Sequence, residues 1–103
     1  MRWSNFTNDY ETIRRAASLV CDVVFARRNA GQQTATAIEQ AALALGISKR
    51  KARAFYYGEA SGVERAELEQ MRERFVVHME QQAEEHTRRA EIIREKLRNG
   101  VIL

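Results

Sequence analysis

The sequence predicts an all-α fold, a small domain of about four helices that ends in a long C-terminal helix. The 103 residues include no proline and only five glycines, whereas β-sandwiches and barrels need many turns built from these residues. Residue types that favour helices, such as alanine, glutamate, arginine and leucine, are abundant. Hydrophobic residues make up 45 % of the chain, which is enough for one packed core and argues against wholesale disorder.

The chain is predicted to be a single domain over residues 1–103. Residues 1–8 mix aromatic and small polar side chains, which indicates a short arm whose aromatic rings dock on the body of the domain. Residues 9–60 are expected to form a core of three helices. Residues 61–99 are expected to form the long helix.

The first helix is predicted to run from about Asp9 to Arg28. Asn8 and Glu11 have the spacing of a capping box, and Asn29-Ala30-Gly31 has the composition of a helix end. Apolar residues recur along the helix at steps of three and four, which predicts one buried stripe. The stripe is expected to contain Ile13, Ala16, Ala17, Val20, Val24 and Phe25.

The second helix is predicted to begin near Thr34 or Thr36 and to end at Gly46. Thr36 and Glu39 have capping-box spacing. Its apolar residues fall within about one third of the helix circumference, so one side is expected to be buried. These residues are Ile38, Ala41, Ala42 and Leu45.

A short third helix is predicted between Ser48, its N-cap, and Gly58, its end. Residues Ser61-Gly62-Val63-Glu64 then match the S-x-x-E capping box, which predicts the start of a fourth helix. No helix-breaking residue follows before Asn99-Gly100. The fourth helix is therefore expected to span about 35 residues, or about 50 Å.

A helix of that length exceeds what a small globule can cover, because a 100-residue domain has a radius of gyration of only about 13 Å. We therefore expect half of the helix to dock on its own domain and half to project. The projecting half either pairs with a second subunit or stays solvated in a monomer. The residues expected to mediate dimerisation are Phe75, Met79, Ile93 and Leu97.

The charge of the chain is divided unevenly, although the formal net charge is only +3. Residues 1–58 hold nine basic and four acidic residues, a net of +5, and residues 59–103 hold eight and ten, a net of −2. Four of the basic residues lie within Lys49–Arg53. This asymmetry indicates a basic contact surface on a balanced scaffold, the alternative being an ordinary solvated face.

The junction of the second and third helices has residues suited to a steep crossing. Ala42 is small enough for close helix approach, and Gly46 tolerates a positive φ in the turn. At 100° per residue, Ala52 and Phe55 lie about 60° apart on the third helix and are expected to face inward. The basic residues and Tyr57 lie on a different face. These are Lys49, Arg50 and Arg53.

The segment Ile38–Tyr57 resembles the helix-turn-helix motif of bacterial and phage DNA-binding regulators. In that family the fifth residue is small, the ninth is glycine, and the fourth, eighth, tenth, fifteenth and eighteenth are apolar. One departure is Ala52, where a branched residue is commoner. The matching residues are Ala42, Gly46, Ala41, Leu45, Ile47, Ala52 and Phe55.

The resemblance implies that the third helix enters the major groove of double-stranded DNA. Arg50 and Arg53 are then expected to contact guanine, and lysines and Ser48 to contact phosphate. A tyrosine near the end of the helix contacts phosphate or packs against the fourth helix. The expected DNA-binding residues are Ser48, Lys49, Arg50, Lys51, Arg53, Tyr57, Thr36 and Gln40.

Two functions from different classes fit these features. The first is a cytoplasmic, nucleoid-associated transcriptional regulator that binds specific DNA sequences as a homodimer. The alternative is a helical protein-interaction module, of antitoxin or anti-activator type, that grips a protein partner with the long helix and its apolar end Val101-Ile102-Leu103. RNA binding is a weaker third option, because no exposed aromatic platform is evident.

Features of enzymes, metal sites and membrane spans are absent from the sequence. His78 and His86 are about 12 Å apart along one helix, too far to share a zinc ion, and there is no glycine-rich phosphate loop. The single Cys21 excludes an internal disulfide framework, and its neighbour Asp22 interrupts the best apolar run. We expect no catalytic residues, metal, cofactor or membrane partner.

Overall fold

The computed structural model describes residues 6–100, and over that range the chain forms four helices and one short strand pair. This confirms the all-α class and the long C-terminal helix. Residues 1–5 of the predicted arm and the apolar end 101–103 lie outside the described residues. The helices are α1 (Tyr10–Asn29), α2 (Thr34–Leu45), α3 (Lys49–Tyr56) and α4 (Arg65–Arg98).

The strand pair was not predicted and corrects the start of the fourth helix. Strands β1 (Phe6–Thr7) and β2 (Val63–Glu64) are antiparallel, with Thr7 opposite Val63. The predicted capping box at Ser61 was wrong, because the chain stays extended through Glu64, pairs its backbone with β1 and buries Val63 in the core. The N-cap of α4 is Glu64, whose side chain makes no capping hydrogen bond.

Helix α1 begins at Tyr10, one residue later than predicted. Asp9, rather than Asn8, is the N-cap, and its carboxylate accepts hydrogen bonds from the backbone amide and the hydroxyl of Thr12 at 3.1 and 3.0 Å. The inclusion of Phe25 in the buried stripe was wrong. Phe25 is 68 % exposed because it lies about 140° around the helix from Val20, and Val23 is buried instead.

One hydrophobic core lies where α1, α2, α3, β2 and the first turns of α4 meet. Burial of this apolar surface is the main favourable contribution to folding. Phe75 and Ile47 are among the half-buried residues that pack against it. The buried residues are Ala16, Val20, Val23, Val24, Ala37, Ile38, Ala41, Ala42, Leu45, Ala52, Phe55, Val63, Leu68 and Met71.

Helix α4 extends far beyond this core. Leu68 and Met71 are its only buried residues in the described chain, and both lie in its first two turns. The molecule therefore measures 69 × 25 × 20 Å, with the long axis set by a helix of about 50 Å. No helix in residues 6–100 has both the length and the apolar character needed to cross a membrane.

Candidate nucleic-acid interface

The turn between α2 and α3 is fixed by backbone hydrogen bonds and by close packing. Gly46 adopts the left-handed conformation at φ +72°, and the backbone amide of Ile47 donates to the carbonyl of Ala42 at 3.0 Å. Ala42 is buried at the base of this turn. A methyl group added to Gly46 would overlap the side chain of Arg74, which reaches over the turn from α4.

Helix α3 is only eight residues long, and hydrogen bonds cap it at both ends. The Ser48 hydroxyl oxygen accepts a hydrogen bond from the backbone amide of Lys51 at 3.1 Å, as an N-cap does. At the other end, Gly58 has φ +71°, and the amide of Glu59 donates to the carbonyl of Ala54 at 2.8 Å. The start and end of this helix agree with the sequence prediction.

The two sides of α3 differ sharply in environment. Ala52 and Phe55 are buried in the core, at 0 % and 3 % exposure. The opposite side is exposed and carries three cations and one aromatic ring. We call this surface the basic face; it consists of Lys49, Arg50, Arg53 and Tyr57.

An acidic residue that the sequence interpretation missed lies beside the basic face. The carboxylate of Glu39 on α2 is 3.4 Å from the ammonium of Lys49, and both side chains are at least half exposed. The pair borders a groove of about 180 Å³ between α2 and α3, which Arg53 also lines. The sequence could have predicted this proximity, because Glu39 lies one helical turn before Ala42, on the side of α2 that crosses α3.

Lys51 is directed away from the basic face. Its ammonium is 2.8 Å from the carboxylate of Glu67 in the first turn of α4. Around the axis of α3, Lys51 is about 160° from Lys49 and only about 40° from the buried Phe55. The structure therefore places Lys51 between α3 and α4, apart from the other three cations.

The two tyrosines at the end of α3 have different environments. Tyr56 is half-buried and packs against the core, whereas Tyr57 is 53 % exposed. Their rings meet edge to face with centroids 5.0 Å apart. The guanidinium carbon of Arg53 lies 5.9 Å from the centre of the Tyr57 ring, so the ring and the cation contact each other on the basic face.

The two candidate residues on α2 are placed less favourably. Thr36 is exposed but lies inside the helix, whose N-cap is Gln33, so the predicted capping box with Glu39 does not form. Gln40 is half-buried and lies about 100° around α2 from Glu39, on the side away from Ala42. The structure brings neither of them into a described contact with α3.

Two cations of the basic face have no acidic partner among the described residues. Lys49 and Lys51 each form an ion pair with a carboxylate, but no salt bridge within residues 6–100 involves Arg50 or Arg53. Both guanidinium groups are on exposed residues. Their charge is therefore available to an external anion.

The described residues include no cluster of metal-binding side chains, and the one cysteine is not activated. No three histidine, cysteine, aspartate or glutamate residues between 6 and 100 come together to hold a metal ion. Burial, and then the charge of Asp22, raise the pKa of the half-buried Cys21 thiol, which makes it a poor nucleophile.

No protein-family model, curated protein or solved structure matches the chain. The function is therefore inferred from the geometry of its own residues.

Proposed function

We propose that this protein is a regulator of the helix-turn-helix type that binds specific sequences of double-stranded DNA with α3. The observation that carries the proposal is the division of α3 into two faces. Ala52 and Phe55 anchor it in the core, while Arg50 and Arg53 are exposed on the other face and have no acidic partner within residues 6–100. The left-handed turn at Gly46 and the resemblance of the segment 38–57 to the helix-turn-helix motif also support this proposal.

The chemistry of the basic face suits the major groove of B-DNA. That groove is about 12 Å wide and admits an α-helix, and an arginine there can donate two hydrogen bonds to O6 and N7 of guanine. Arg50 and Arg53 take this role, each contributing about 1–3 kcal/mol of discrimination against a wrong base. Lys49 and the amide end of α3 near Ser48 contact phosphate.

The proposed regulator acts as a homodimer, because one short helix offers few contacts. The residues for pairing are on α4, where Met79, Ile93 and Leu97 are between 45 % and 57 % exposed and Phe75 packs against the core. A dimer can place two copies of α3 in two major grooves that are separated by one helical turn of DNA, roughly 34 Å, or by a multiple of it. Because affinity then depends on phosphate contacts, it falls as salt concentration rises.

Binding of the purified protein to fragments of bacterial or phage genomic DNA, measured by fluorescence anisotropy, tests this proposal. We expect a few fragments to bind tightly, and Arg50→Ala and Arg53→Ala each to weaken that binding by about 5- to 150-fold, with little effect on other fragments. Arg88→Ala is the matched control, since it removes one exposed charge from the far half of α4. Equal, weak binding to all fragments, unchanged by both α3 variants, refutes sequence-specific recognition.

A protein-interaction module remains the second candidate, and one observation favours it. Leu43 is 71 % exposed on α2 and borders a groove of about 430 Å³ that Val77 of α4 also lines. An apolar side chain of a helical partner fits such a groove. Purification from the native host distinguishes the two functions, because a stoichiometric protein partner without nucleic acid favours the second.

A further inference from the structure

The side of α4 that faces the core continues as a stripe along its projecting half. From Phe75 onward the steps between stripe residues are 4, 3, 4, 4, 3 and 4, so the spacing is the same read from either end. The centre of the stripe is His86. We call this set the α4 stripe; it consists of Phe75, Met79, Gln82, His86, Ala90, Ile93 and Leu97.

Because the spacing reads the same from both ends, two copies can match residue against residue in an antiparallel pair as well as in a parallel one, and the charges beside the stripe distinguish the two directions. We propose that α4 pairs with α4 of a second copy in an antiparallel arrangement whose two-fold axis passes at His86. This inference rests on the homodimer of the proposed function, but it does not depend on DNA binding. It specifies the partner, the direction of the helices and their register.

In this register the side chains that face each other are complementary in size. Phe75 lies against Leu97 of the partner subunit, and Met79 lies against Ile93 of the partner subunit. Gln82 extends over Ala90 of the partner subunit, where the small side chain leaves space. The overlap covers residues 75–97, or about 33 Å of helix, and covers the exposed surface of Met79, Ile93 and Leu97.

The charges beside the stripe favour the antiparallel direction. Glu85 and Arg89 lie on one flank, about 40° apart, and form an ion pair within the helix. In the antiparallel pair this flank meets the same flank of the second copy. Glu85 therefore approaches Arg89 of the partner subunit, and by symmetry Arg89 approaches Glu85 of the partner subunit. A parallel pair would bring this flank against Ala83 and Thr87 of the partner subunit, which carry no charge.

The repeat length of the stripe also fixes the sense of winding. Phe75, His86 and Leu97 are separated by eleven residues, as are Gln82 and Ile93, which corresponds to about 3.67 residues per turn. A stripe with this period keeps two helices in contact when they wind with a slight right-handed twist. A heptad repeat, with 3.5 residues per turn, therefore does not match the α4 stripe.

Disulfide cross-linking of single-cysteine variants tests the arrangement. Cys21 is first replaced by serine, or by alanine if the serine variant unfolds by circular dichroism. We expect His86→Cys to form a covalent dimer under mild oxidation, because the two copies of residue 86 meet at the axis. Leu97→Cys should not, because its two copies are about 33 Å apart in the antiparallel pair.

Glu84→Cys is the matched control, since residue 84 lies on the side of α4 opposite the stripe. Efficient cross-linking of Leu97→Cys would show parallel helices and overturn the proposal. A monomer in light scattering at high protein concentration would overturn it as well. A covalent His86→Cys dimer that binds no DNA, together with no cross-linking of Leu97→Cys, would instead support this arrangement and refute the proposed function.

Discussion

At the scale of single residues, Gly46 is subject to two separate constraints. Its φ of +72° is in the left-handed region, which costs an alanine about 1–2 kcal/mol, and an added methyl group would overlap Arg74. We expect Gly46→Ala to lower the free energy of unfolding by somewhat more than 1–2 kcal/mol, as measured by urea denaturation.

Gly58→Ala is the matched control for Gly46→Ala. Gly58 has nearly the same φ, +71°, but no atom lies within 4 Å of a methyl group placed there. Adding Arg74→Ala to Gly46→Ala should therefore recover the difference between the two glycine variants. If Gly46→Ala and Gly58→Ala lower the free energy of unfolding by the same amount, the side chain of Arg74 moves aside without cost.

His78 gives the molecule a pH dependence of known sign. Burial, followed by the positive charge of Arg27, lowers the pKa of His78 below its ordinary value. The unfolded chain therefore binds more protons than the folded chain in the window below about pH 6.5, so this residue lowers the stability as pH falls through that window. We expect His78→Gln to reduce the loss of unfolding free energy between pH 7.5 and pH 5.

The effect of Arg27 can be measured separately by NMR titration of the imidazole. Arg27→Gln should raise the pKa of His78 towards its ordinary value, because one of the two causes of the shift is removed. Arg28→Gln is the control, since it removes an adjacent, exposed charge. A pKa that stays in place in Arg27→Gln would leave burial as the sole cause.

At the scale of elements, α3 depends on its N-cap because it has only eight residues. The Ser48 hydroxyl accepts the amide of Lys51, and the usual cost of losing such a cap is about 1 kcal/mol. We expect Ser48→Ala to lower the unfolding free energy by that amount. Ser18→Ala, at an exposed position inside α1, should cost nothing or be slightly stabilising, and an equal loss there would contradict a capping effect.

The end of α2 and both ends of α3 were predictable from sequence because they depend on local interactions. Gly46, Ser48 and Gly58 act within three or four residues of their own positions. The start of α4 was not predictable in this way, because β2 pairs with residues far away in the chain. The candidate site was also predictable only in part. The buried and exposed sides of α3 follow from the helical period. The ion pair between Lys51 and Glu67 does not, because it joins residues sixteen positions apart in the chain.

At the scale of the whole molecule, the two halves of α4 differ in burial. Met71 is fully buried, so Met71→Ala is expected to cost about 2–5 kcal/mol of unfolding free energy. Ile93 is half exposed and outside the core, so Ile93→Ala should change the stability of a monomer by no more than about 0.5 kcal/mol. In the proposed dimer, however, Ile93→Ala should weaken association in sedimentation experiments. A large loss of monomer stability in Ile93→Ala would contradict this division.

The ion pair between Glu39 and Lys49 has a consequence for the thermodynamics of the proposed DNA complex. A lysine that meets phosphate normally displaces a condensed cation from the nucleic acid, and the displaced cations produce a steep dependence of affinity on ionic strength. The ammonium of Lys49 is already 3.4 Å from the carboxylate of Glu39. A phosphate that binds Lys49 has to replace this carboxylate, whose negative charge then stays close to the phosphate. In the proposed complex, neutralising that carboxylate is expected to strengthen binding to any duplex and to weaken discrimination between sequences, so Glu39 would limit non-specific binding to the rest of a genome.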